Sequence, residues 1–234
     1  SGKWIASGGE DRTIRFWDTE TGQELQKLEH AHSVWHIEWN DAGDTLLATT
    51  ELGEIELWHL SNDPDLIVEE EPDLIHAHDV RIPFATWNDD ENLILSVSVD
   101  DSARVWDVET GEQLNLIGHT DDVNWATWNH DESLILTASK DGTARIWDAK
   151  TGKEIAVLTG HTGSVRQAFW LPDESRIVTY SDDGTVRQYY TSLDALVDVA
   201  CDLVPRNMTI QEWERFMGDK PYRPSCPNLP GNNN

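Results

Sequence analysis

One stretch of this chain recurs at a nearly constant interval. LILTASKDGTARIWD, Leu134 to Asp148, has counterparts in WIASGGEDRTIRFWD ending at Asp18, LILSVSVDDSARVWD ending at Asp107 and RIVTYSDDGTVRQYY ending at Tyr190. LLATTELGEIELWH, ending at His59, is a weaker copy. Aligned on Trp17, Trp58, Trp106, Trp147 and Tyr189, the copies are spaced by 41, 48, 41 and 42 residues. A second ruler agrees. His30, His78, His119 and His161 each stand 28 residues before the terminal aromatic, and Trp39, Trp87, Trp128 and Trp170 follow each histidine by nine. Eight of the 12 tryptophans are placed by the repeat alone.

Each copy reads as short strands. In Leu134–Asp148, apolar and polar residues alternate on both sides of Lys140-Asp141-Gly142, a strong hairpin signal. Val123–Trp128 reads as an inner strand, Leu134–Ser139 and Thr143–Trp147 as the hairpin, and Glu154–Leu158 as an outer strand after the Asp148–Gly152 turn. The expectation is an all-β chain of antiparallel four-stranded units with the period of a β-propeller blade.

Charge narrows the partners. The 234 residues carry 17 Lys+Arg against 44 Asp+Glu, a net −27 at pH 7. Nucleic acid and anionic membranes both require a basic face, so neither fits. A protein or peptide, basic in charge, fits better, although acidity also serves plain solubility. The two cysteines, Cys201 and Cys226, form no metal or nucleophile motif. No apolar run reaches membrane-span length and no signal peptide opens the chain. A reduced, cytoplasmic protein is expected.

The Gly-His pairs at 118–119 and 160–161 and the Trp-Asp pairs at 17–18, 106–107 and 147–148 resemble the WD-repeat family of β-propellers over residues 1–190. The resemblance implies a partial blade over 1–29 and blades over about 30–77, 78–118, 119–160 and 161–190. It also implies a buried structural tetrad in each blade: His78, Ser96, Asp100 and Trp106; His119, Thr137, Asp141 and Trp147; His161, Thr179, Asp183 and Tyr189, with tyrosine in the tryptophan place. The partial unit keeps Ser7, Asp11 and Trp17. The weak unit has His30 and Trp58 but Ala48 and Leu52, so its network cannot form in the family's way. It also carries an insertion in HLSNDPDLIVEEEPDLI that enlarges the turn before an outer strand near 72–76, as a tolerated surface loop or an acidic docking loop. Because the chain opens Ser1-Gly2-Lys3 inside a repeat, and members most often close with seven blades, two or three further blades are expected upstream. The last blade is expected to lack its outer strand.

After Tyr190 the pattern turns helical. Leu193–Leu203 has helical apolar spacing, and Thr209–Glu212 is a capping box opening a second short helix before a Pro-rich end. Residues 191–234 therefore read as a helical and Pro-rich extension. ACDLVPRNMTIQEW and KPYRPSCPNLP resemble the ending of large bacterial WD-repeat proteins with a STAND-type (NACHT-like) signalling module. That resemblance implies the sensor region of a larger signalling protein, in contact with an N-terminal module.

No phosphate loop or nucleophile elbow is present, and paired aspartates such as Asp100-Asp101 and Asp182-Asp183 recur at one turn position. No catalytic residue, metal site or cofactor is assigned; the His-x-His pairs at 30–32 and 76–78 lack a third ligand. In WD-repeat proteins partners often contact the top face three and five residues after the blade histidine and one before the turn aspartate. Carried over, these places hold Ser33, Trp35 and Glu51; Arg81, Pro83 and Val99; Asp122, Asn124 and Lys140; Ser164, Arg166 and Asp182; and Glu10. Trp35, Arg81, Asp122, Lys140, Arg166 and Asp182 form the candidate partner-binding set. Trp35 is either a binding anchor or a filler for the gap left by Ala48 and Leu52. The expected function is a non-catalytic protein-interaction or ligand-sensing scaffold. The alternatives are an accessory propeller of an enzyme whose active site lies elsewhere, and a pure assembly scaffold.

Overall fold

The computed structural model describes residues 2–61, 68 and 71–191. The helical extension expected over 191–234 lies outside the described residues, apart from residue 191. Among the described residues two compact parts emerge, one of 2–169 with 179–187 and another of 170–178 with 188–191. Every described element is a strand, 18 in all, arranged in five antiparallel sheets.

Blade I holds β1 (Trp4–Gly8), β2 (Thr13–Asp18) and β3 (Glu24–Glu29), with no inner strand beside β1 among the described residues. Blade II holds β4 (Val34–Trp39), β5 (Thr45–Thr50), β6 (Glu54–His59) and β7 (Asp73–His76). Blade III runs β8 (Phe84–Trp87), β9 (Leu93–Val97), β10 (Ser102–Asp107), β11 (Gln113–Ile117). Blade IV runs β12 (Val123–Trp128), β13 (Leu134–Ser139), β14 (Ala144–Asp148), β15 (Glu154–Leu158). Blade V is three-stranded, with β16 (Val165–Trp170), β17 (Arg176–Ser181) and β18 (Val186–Tyr190). These sheets are the blades of a partial WD-type β-propeller. No helix is present among the described residues, and none there is long and apolar enough to cross a membrane.

The core lies between blades. Leu95, Val97, Ala103 and Leu116 of blade III close on Val123, Ile135 and Trp147 of blade IV. Leu47 and Ile55 of blade II meet Ile82, Ile94 and Trp106 of blade III, and Ile14 and Phe16 of blade I meet Val34, Leu46 and Trp58 of blade II. A middle strand is therefore covered on both faces. Ile135 and Leu136, on opposite faces of β13, are both fully buried. Sheet-on-sheet stacking makes every face an inner face, so burial does not follow the alternation of a sheet wetted on one side.

The connections follow from side-chain chemistry. The aspartates ending β2, β10 and β14 accept the backbone N–H of the threonine three residues on: Asp18 from Thr21 at 2.7 Å, Asp107 from Thr110 at 2.7 Å and Asp148 from Thr151 at 2.8 Å. Gly53, at φ 82°, lets blade II approach blade III; a Cβ there would stand 2.2 Å from the His78 carbonyl oxygen. Two glutamates latch one blade to the one before it. Glu132 accepts from the Asp89 backbone N–H at 2.5 Å and the Asn88 amide at 3.0 Å. Glu91 accepts from the Asn40 amide at 3.0 Å and from the backbone N–H groups of Asp41 and Ala42. Both glutamates have left-handed backbones, with φ 55° at Glu91 and 56° at Glu132.

The insertion in blade II does precede its outer strand. Leu60 and Val68 bridge beyond the end of β6, and the Gln26 side chain both donates to and accepts from the Val68 backbone, at 3.2 and 3.1 Å.

Candidate functional site

Blades III and IV carry the same hydrogen-bonded chain, and blade V carries its His–hydroxyl–Asp part. In blade III, His78 Nδ1 lies 2.9 Å from Asp100 Oδ2, His78 Nε2 lies 2.9 Å from Ser96 Oγ, and the Trp106 indole donates to that hydroxyl at 3.1 Å. In blade IV, His119 contacts Asp141 at 2.8 Å and Thr137 at 2.7 Å, and Trp147 donates to Thr137 at 2.9 Å. In blade V, His161 lies 2.9 Å from Asp183 and 2.7 Å from Thr179; Tyr189 is half-buried at the tryptophan place. The indole can only donate, so the hydroxyl accepts from it and donates its own proton to Nε2. Nδ1–H then donates to the carboxylate, which assigns a neutral imidazole.

The electrostatics agree with that assignment. Burial pushes the pKa values of His78 and His119 down, against the pull of Asp100 and Asp141. Burial raises the Asp100 carboxyl, but bonds from His78 and Ser102 outweigh it and hold the group at about 2. Asp141 is held at about 2 in the same way, by Thr143 and His119 against burial. Asp183 is lowered first by the Thr185 hydroxyl and then by His161. Each imidazole has both nitrogens engaged and little access to solvent, which makes the chain a brace and not a proton shuttle.

Blade II replaces this chain instead of losing it. Ala48 is fully buried, where other blades have a hydroxyl. Trp58 donates instead to Glu56 Oε2 at 3.0 Å, and His30 Nδ1 lies 3.4 Å from the same oxygen. Glu56 is itself buried. The sequence reading missed this residue. Its signal was present, since the place two before the terminal aromatic holds Arg15, Arg104, Arg145 and Arg187 in the other units and glutamate only here.

Trp35 is therefore not the filler of a gap beside Ala48. It is 37% exposed, and the Arg81 guanidinium of blade III sits 4.4 Å above its ring. Leu52 is exposed as well. The other candidates pair among themselves. Lys140 Nζ lies 3.1 Å from Asp121 and 3.4 Å from Asp122. Arg166 makes a forked pair with Asp182, its Nε at 2.9 Å and its terminal nitrogen at 2.6 Å. Asn124 reaches from blade IV to Ser164 Oγ at 3.0 Å and to the Val165 carbonyl at 2.9 Å. Asp101, which the sequence reading did not single out as a contact, brings a third carboxylate beside Asp121 and Asp122. Burial first, and then these two neighbours, push its pKa up. Pro83 and Val99 are half-buried; Glu10 and Glu51 are exposed. Loops and the adjoining strand ends thus present one aromatic–cation pair and two ion pairs on adjoining blades.

Stacked antiparallel blades braced by His–hydroxyl–Asp–Trp chains, with side chains displayed on the connecting loops and strand ends, define a repeat-built interaction scaffold. The WD domain, G-beta repeat family matches residues 1–18, 73–107, 111–148 and 152–189, more than half of the chain. The chain belongs to the WD-repeat family. The unmatched stretch between 18 and 73 contains the blade in which Glu56 stands in for the hydroxyl.

Among curated proteins, the chain is 30% identical over 112 residues to the serine-threonine kinase receptor-associated protein of Gallus gallus, covering 48% of this chain and 30% of that protein. It is 31% identical over 126 residues to eukaryotic translation initiation factor 3 subunit I of Emericella nidulans, covering 50% and 38%. It is 30% identical over 110 residues to nuclear distribution protein nudF of Aspergillus flavus, covering 46% and 23%. The matched region is well under half the length of each of these relatives.

Proposed function

We propose that this chain is a non-catalytic protein-interaction scaffold whose partner docks across the loops and strand ends bearing Trp35, Arg81, Asp122, Lys140, Arg166 and Asp182. The observation that carries the reading is the Trp35–Arg81 pair, a large aromatic held exposed by a cation from the neighbouring blade. Tryptophan and arginine dominate binding hot spots, and a preset pair loses little freedom on docking. The net charge of −27 favours a basic partner segment. The finer reading, a sensor region that passes partner occupancy to an N-terminal module of a larger bacterial signalling protein, is supported by the tail sequences ACDLVPRNMTIQEW and KPYRPSCPNLP. A cytoplasmic setting accords with the cysteine usage.

The test is a displayed random-peptide library selected on the chain, with the tightest peptide then titrated against variants. Trp35→Ala and Arg166→Ala weaken it, while Asp90→Asn, on a turn at the other end of the blades, does not. Equal affinity for all three folded variants overturns the assignment.

A further inference from the structure

The inner strands of blades II, III and IV run out into matching residues. Glu38-Trp39-Asn40-Asp41 follows this course from β4, Thr86-Trp87-Asn88-Asp89 from β8 and Thr127-Trp128-Asn129-His130 from β12. With Glu91 these residues line one cavity of about 340 Å³, a volume within the range of small-molecule sites. Trp35 lies near the start of β4 and Trp39 at its end. Four residues of strand, about 13 Å, therefore separate the cavity from the proposed docking face.

The asparagines build the turns. Asn40 accepts the backbone N–H of Thr45 at 2.9 Å, Asn88 that of Leu93 at 2.7 Å and Asn129 that of Leu134 at 2.8 Å. Glu91 is spent on the inter-blade latch. The other three carboxylates are not spent. Glu38 accepts from the Thr86 hydroxyl at 3.1 Å through one oxygen, while the other is buried and has no hydrogen-bond partner among the described residues. His36 Nε2 stands 3.9 Å from that second oxygen, beyond hydrogen-bond reach. Asp41 and Asp89 are exposed on their turns, and their carboxylates pair with no cation among the described residues. No lysine or arginine lines the cavity, and its one imidazole is that of His130.

On a chain of net charge −27, acidity alone marks no site. Two further features do. A buried carboxylate oxygen without a donor costs free energy that a charged donor recovers. Three indole rings, of Trp39, Trp87 and Trp128, also line the cavity, and an ammonium against an aromatic ring is favoured. We infer that the cavity binds a short alkyl diamine. One ammonium donates to the unspent oxygen of Glu38 on the strand. The other meets Asp41 and Asp89 on the exposed turns, and the methylenes between them lie against the indoles. A divalent metal ion fits less well, because no three carboxylate or imidazole ligand atoms converge here among the described residues.

The experiment titrates cadaverine into the full chain by calorimetry, in about 0.15 M salt so that attraction to the general surface is screened. Saturable binding at one site is expected. Glu38→Gln weakens it about tenfold, because it removes a charge-assisted contact while keeping an acceptor for Thr86. Asp89→Asn, on an exposed turn, weakens it as well, so the result does not hang on a single variant near the core. Glu20→Gln removes the same charge outside the cavity and leaves binding unchanged. 5-Amino-1-pentanol, with one ammonium in place of two, binds more weakly than cadaverine. Trp35→Ala leaves the affinity unchanged, so the outcome is independent of the docking-face assignment. Absence of saturable binding, equal losses from Glu38→Gln and Glu20→Gln, or displacement of cadaverine by an equal concentration of magnesium overturns the inference.

Discussion

Trp58 gives its indole proton to Glu56 across 3.0 Å, and His30 stands 3.4 Å from the same oxygen. One buried carboxylate thus receives in blade II the indole proton that a hydroxyl receives elsewhere. Glu56→Ala leaves the buried indole without its acceptor and is expected to cost about 1–3 kcal/mol. Glu56→Gln keeps a carbonyl oxygen in place and costs less. Urea unfolding of both variants checks this; equal midpoints for Ala and wild type would remove the carboxylate's bracing role.

The hydroxyl in the regular blades serves two neighbours at once. Thr137→Val strips an acceptor from Trp147 and a donor from His119, all buried. A loss of about 2 kcal/mol is expected. Ser7→Ala in blade I removes a comparable bond from Trp17 at 3.0 Å, but in an exposed setting. Water can replace it there, so the loss stays below about 1 kcal/mol. Paired denaturation curves decide the matter, and a Ser7 effect as large as that at Thr137 would contradict it.

Acid destabilises the fold in two stages. Folded His78 and His119 have pKa values below the ordinary 6.5. Below that pH the unfolded chain takes up protons that the folded one refuses, so stability falls. Asp100 and Asp141, held at about 2, add a second loss as pH drops from 3.8 toward 2, because only the unfolded carboxyls protonate readily there. Denaturation midpoints across this range should decline first below 6.5 and again below 3.8. A midpoint that rises on acidification through the first window has the wrong sign.

The inter-blade latch separates side-chain from backbone effects. Glu132 bonds Asp89 and Asn88 while holding φ at 56°. Glu132→Ala loses the bonds and keeps the strained backbone, costing about 1.5–3 kcal/mol. Glu132→Gly loses the same bonds but relieves about 1 kcal/mol of strain, so it is the milder change. Gly43, at the corresponding place in blade II with φ 69°, shows the backbone conformation without the latch. Melting temperatures in the order wild type, Gly, Ala are expected; Ala above Gly would place the cost elsewhere.

What could be read from sequence was what repeats. Val123–Trp128, Leu134–Ser139 and Glu154–Leu158 are strands with the expected bounds because alternation and turn chemistry are local. Glu56 was missed because its role appears only where one unit departs from the others, and a replacement for a lost hydroxyl can come from a different strand. Glu91 and Glu132 were missed because a latch to the preceding blade leaves no periodic apolar trace. The pairing of Trp35 with Arg81 spans 46 positions between blades, a contact that only the packing of adjacent sheets brings about. The same packing explains Ile135 and Leu136, both buried despite opposite directions.

The central claim is a division of labour between braces inside the blades and contacts on their loops. Melting temperature and affinity for one library-selected peptide, measured together for Asp141→Ala and Trp35→Ala, test it most directly. Asp141→Ala should lower the melting temperature while the folded fraction still binds, and Trp35→Ala should weaken binding at an unchanged melting temperature. Lost binding with unchanged melting for Asp141→Ala, or full binding by Trp35→Ala, would contradict it.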